Sequence, residues 1–84
     1  MNEMQEKMAD GQLSDGRRFT VSPVFGRHIR QARRMQNEAD IDYLFGLTAQ
    51  VTLIDGKPIT PHDLDDLPGK DVVALQTAVQ KKMI

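Results

Sequence analysis

The 84 residues suffice for one domain with one small core, and with 39% hydrophobic residues, three Phe, one Tyr and no Trp that core has to be mainly aliphatic; a domain of this size buries only about 60% of its unfolded surface. The formal charge is −1, but residues 17–34 hold six arginines and no acid, while residues 35–84 hold eight acids against four lysines. The lack of cysteine excludes disulfides and thiolate metal sites, no apolar run approaches the roughly 18 residues of a membrane span, and the N-terminus is acidic where a signal peptide is basic, so the expectation is a cytoplasmic chain without a membrane segment.

In chain order, residues 1–10 form a flexible N-terminus, because Met1, Met4 and Met8 fall at helical spacing but nothing caps or extends them. A single domain then fills residues 11–84. Gln12-Leu13 and Arg18–Val21 flank Ser14-Asp15-Gly16-Arg17, and Asp-Gly between short runs predicts a β-hairpin. Phe19 and Val21 share one face of its second strand, which Pro23 closes. From Val24 to Gln36 the pattern is helical, with Phe25, Ile29 and Ala32 on an apolar stripe and Arg27, Arg30 and Arg34 on a face turned away from it.

Asn37 is the expected cap of a second helix over residues 38–52, with Asp40 at its third position. Ile41, Leu44, Phe45, Thr48 and Val51 or Thr52 form its buried stripe, widened by Leu47, and Gly46 marks a close helix crossing. Val51–Ile54 followed by Asp55-Gly56 also fits a strand entering a second hairpin. Pro58, two residues beyond the turn, argues against a returning strand, and the preferred expectation is a helix ending near Leu53. Thr60-Pro61-His62-Asp63 reads as a capped helix start, with Leu64 and Leu67 anchoring the turn that follows. Pro68 opens a last helix whose stripe is Val72, Leu75, Gln76, Val79 and Met83. The expected class is α+β, mostly α: an N-terminal β-hairpin followed by three or four short packed helices.

The residues offer no catalytic constellation. His28 and His62 lie far apart and neither has a partner at metal-ligand spacing. Asp63, Asp65 and Asp66 sit at a helix start, where the macrodipole accounts for them, and the calcium-loop spacing is missing. There is neither a nucleophile elbow nor a glycine-rich phosphate loop. The expectation is a non-enzymatic protein with no cofactor. The arginine-rich segment 26–34 admits three readings: a solvated face pairing with the acidic half, a protein-binding surface, or a helix lying on nucleic acid. Nucleic acid is disfavoured by the sequence pI of about 6.0 and the absence of interleaved aromatics.

The order of motifs carries a resemblance. Arg-Phe-Thr-Val on a strand and an arginine-rich helix are followed by Ile54-Asp55-Gly56-Lys57-Pro58-Ile59-Thr60, by Asp63-Leu64-Asp65-Asp66-Leu67-Pro68 and by Asp71–Val79. Over about residues 17–82 this resembles the tail assembly chaperones of contractile-tailed bacteriophages and their prophage relatives. The resemblance implies a protein of the bacterial host's cytoplasm that binds the long helical tape-measure protein during tail morphogenesis. Independently of the resemblance, the thin aromatic supply of so small a core leaves open self-association into a homo-oligomer. Contact positions on the chaperone reading are Arg27, Arg30 and Arg34 with Val72, Leu75, Val79 and Met83, or the Phe25/Ile29 stripe, although the apolar residues serve equally well as core. The alternatives are a small nucleic-acid-binding regulator using residues 26–34, or a structural subunit of a phage-type particle.

Overall fold

The computed structural model describes residues 10–83, so residues 1–9 of the expected flexible N-terminus lie outside the described residues. The elements are β1 (Gly11–Gln12), β2 (Arg18–Val21), α1 (Gly26–Ala39), α2 (Tyr43–Val51), β3 (Thr52–Ile54), β4 (Lys57–Pro58), α3 (Pro61–Asp65) and α4 (Gly69–Lys81). The class is α+β and predominantly helical, with the N-terminal hairpin in place. Asp10, counted by sequence with the N-terminal segment, is held at both carboxylate oxygens. One accepts from the Val21 amide and the other pairs with Lys82 Nζ at 3.3 Å.

The strands form one antiparallel sheet in the order β1-β2-β3-β4. Phe19 lies opposite Ile54 and Val21 opposite Thr52, so these four buried residues share the inner face while Arg18 and Leu53 point out. The β1–β2 turn closes through Leu13 and Arg17. Asp15 accepts from the Arg17 amide and pairs with the Arg17 side chain at 2.8 Å. That amide bond, aided by the guanidinium, holds the exposed Asp15 carboxyl below its ordinary pKa.

Two sequence expectations about element boundaries are corrected. The second helix begins five residues later than residue 38, because α1 continues through Asn37 to Ala39. Asp40 then ends α1 in the left-handed conformation (φ 56°), its amide donating to Met35 O. Asp tolerates that conformation better than most residues because its short polar side chain can bond locally. Asp42, not Asn37, caps α2 by accepting from the Phe45 amide. The second correction is at residues 52–58, where α2 stops at Val51 and a second hairpin follows. Asp55 (φ 52°) and Gly56 (φ 77°) both have positive φ, the pattern of the tight turn favoured in two-residue hairpins. β4 is the sheet's edge strand, where proline's missing N–H costs no ladder bond.

α2 is the central helix, packed against α1, α3 and α4. Gly46, Leu47, Thr48, Ala49 and Val51 are all buried in it, whereas Leu44, expected on the buried stripe, is 42% exposed. The expected close crossing is present: a Cβ on Gly46 would lie 2.9 Å from Met35 Sδ and 3.6 Å from Ala32 Cα. The core joins Leu13, Phe19 and Val21 of the hairpin region to Ala32, Leu47, Val51, Ile54, Leu64, Leu75 and Val79. Thr60 caps α3 by accepting from the Asp63 amide, and the Asp63 carboxylate accepts from the Thr60 amide in return, a capping box. α4 starts after Pro68, as its stripe predicts.

Candidate binding surface

The arginine helix is positioned by its opposite side. Ala32 is fully buried against α2, with Ile29 and Met35 half-buried beside it. Arg27, Arg30 and Arg34 recur at i, i+3 and i+7, so they form one stripe on the outer face, with Arg33 flanking it. All four are exposed. The acidic half does not reach them. Among the described residues the ion pairs are Arg17–Asp15, His62–Asp65 and Lys82–Asp10, and none includes an arginine of α1.

Phe25 departs from the expected buried stripe. It is the residue preceding α1, in an extended conformation (φ −111°, ψ 165°), so its side chain does not follow the helical phase that buries Ala32. Its ring is 50% exposed. The Arg27 guanidinium stacks over it at 4.7 Å, and the His28 ring lies 5.9 Å away. His28 Nδ1 accepts from the Phe25 amide at 3.0 Å, which assigns that histidine a capping role. The outer end of α1 is therefore an apolar ring set among exposed guanidinium groups. The sequence signal for this was Pro23 two residues earlier and Gly26 at the helix start, which together move Phe25 outside the helix proper.

The apolar contact positions divide. Val72, Leu75 and Val79 are core, with Leu75 fully buried, and a partner reaches them only by opening the fold. Met83, expected on the stripe of the last helix, lies beyond the end of α4 and is 47% exposed, while Val73 within α4 is 60% exposed. At the far end of α1, Asp40, Asp42 and Asp65 border an open groove of about 370 Å³ lined by half-buried Ile41, Phe45 and Pro61. His62 Nδ1 lies 3.9 Å from Asp65 at this groove. Among the described residues no group of three His or acidic side chains could hold a metal ion, and no helix is long and apolar enough to cross a membrane.

One buried polar contact escaped sequence reasoning. Asp71, in the first turn of α4, accepts from both the Ser14 amide (2.9 Å) and the Ser14 hydroxyl (2.7 Å), tying the first hairpin turn to the last helix. No local pattern signals a bond between residues so far apart in sequence. No protein-family model, curated protein or solved structure matches the chain.

Proposed function

We propose that the chain is a non-enzymatic tail assembly chaperone of the phage type, binding the tape-measure protein before the tail tube forms. The observation that carries a binding role is the outer face of α1. Four exposed arginines without an ion-pair partner among the described residues adjoin an exposed phenylalanine. Such a face suits an acidic amphipathic helix, whose carboxylates meet the guanidinium groups while an apolar side chain covers Phe25. The motif order over about residues 17–82 supports the family reading, and Met83 and Val73 offer further apolar contact.

The test is co-expression with a helical tape-measure segment, reading how much of that segment stays soluble. Wild-type chain should keep it in solution, and Arg27→Glu/Arg30→Glu/Arg34→Glu should not. Equal solubility with both would remove the arginine face from the function. Tight binding of duplex DNA with a steep salt dependence, lost in the triple variant, would replace the chaperone reading with the nucleic-acid regulator.

A further inference from the structure

The same helix carries, at its two ends, surfaces that complement each other. At its N-terminal end Phe25 projects with Arg27 stacked on it and Arg30 one turn further. At its C-terminal end lies the groove bordered by Asp40, Asp42 and Asp65 and lined by Ile41 and Phe45. One end thus offers an apolar ring with guanidinium groups beside it, and the other a partly apolar groove bordered by three carboxylates, with His62 beside Asp65. The Asp40 carboxylate makes no hydrogen bond or ion pair among the described residues, and Asp42 uses one oxygen to cap α2. α1 spans 14 residues, so the two surfaces stand about 20 Å apart on a rigid helix. One chain cannot close them on each other.

We propose that the chain associates head to tail with further copies of itself, Phe25 of one copy entering the Asp40–Asp42–Asp65 groove of the next. Because the two surfaces differ, the contact is heterologous, and it builds a closed ring or an open chain instead of stopping at a symmetric pair. Charge complementarity selects a second copy as the occupant. The chain's net charge is −1 and its acids cluster after residue 34, so a long polyanion lying along α1 would also meet repelling carboxylates at the helix end. A client helix on the arginine face would compete with the neighbouring copy, but the association stands whether or not that client reading holds.

Sedimentation velocity over a concentration series, up to the solubility limit, tests this. At low salt the average mass should climb past that of two chains. At about 0.5 M salt, where screening shortens to a few ångströms, it should fall back towards the single chain's 9.5 kDa. A knob variant, Phe25→Ala/Arg30→Glu, and a groove variant, Asp40→Asn/Asp65→Lys, should each remain monomeric. Asn at position 40 keeps a residue that tolerates the left-handed conformation there. An equimolar mixture of the two variants retains one intact knob and one intact groove, so it should form pairs and stop. If the knob variant loses its helical circular dichroism, Arg30→Glu alone replaces it. A monomer at every concentration in low salt would overturn the proposal. So would a wild type that stops at two chains, an assembly that survives both variants, or a mixture that stays monomeric.

Discussion

Asp71 is 5% exposed, yet it is a carboxylate in the first turn of α4. Its position near the helix N-terminus is favourable for a negative charge, and both its oxygens are used by Ser14. Removing it leaves the Ser14 amide without its protein acceptor and the turn detached from the helix. Asp71→Ala should therefore cost about 1–3 kcal/mol in urea unfolding. Asp71→Asn keeps an oxygen for the amide and presents an N–H₂ to the hydroxyl, which can accept in its turn; its loss should be the smaller of the two. Equal losses would mean that the charge, not the bonds, carries the effect. Phe25 is the opposite case, an apolar residue at helical spacing that is left outside because it precedes the helix. Periodicity shows which residues can share a face, but not where the helix carrying that face begins.

Among the elements, the α1–α2 crossing is a close constraint. Ala32 is fully buried, and Gly46 brings the two backbones close enough that an added methyl would meet Met35 Sδ at 2.9 Å. Gly46→Ala sets a helix-propensity gain of about 1 kcal/mol against displacement of a flexible thioether, and should change the melting temperature little. Ala32→Leu has no flexible neighbour to yield at the Gly46 backbone, and should cost about 1–3 kcal/mol by overpacking. Thermal unfolding of the two variants checks the contrast. Some element ends were legible from a local cap or turn, as with Thr60 and Asp63 at α3 or Asp-Gly in the first hairpin turn, whereas the equally local Asp42 cap of α2 was not, because Asn37 offered a competing one. Asp55-Gly56 carried the same turn signal, but Pro58 outweighed it because proline's cost depends on whether its strand is central or at the edge. Only the sheet order answers that question.

For the molecule as a whole, stability rests on one core that gathers residues from almost every element. Leu75 is fully buried in that core, so Leu75→Ala should cost about 2–5 kcal/mol, a large share of what a domain this small possesses. Val73→Ala and Met83→Ala, at exposed positions of the same segment, should stay within about 0.5 kcal/mol. A comparable loss at Val73 would show that its face is covered in solution. By itself, the sequence determined the α+β class, the first hairpin, the capped α3, the α4 stripe and the outward-facing arginines, because those depend on residues within a few positions of one another. Only the tertiary structure decided that residues 52–54 are a strand. Val51–Ile54 suits a helix end or a strand equally well, and the open edge of β2 supplies the hydrogen-bond partner that tips the balance. It likewise decided that the arginines of α1 find no acid among the described residues. Which charges meet depends on where distant elements come to rest, and here Asp40, Asp42 and Asp65 gather at the other end of the helix while Asp71 is held by Ser14.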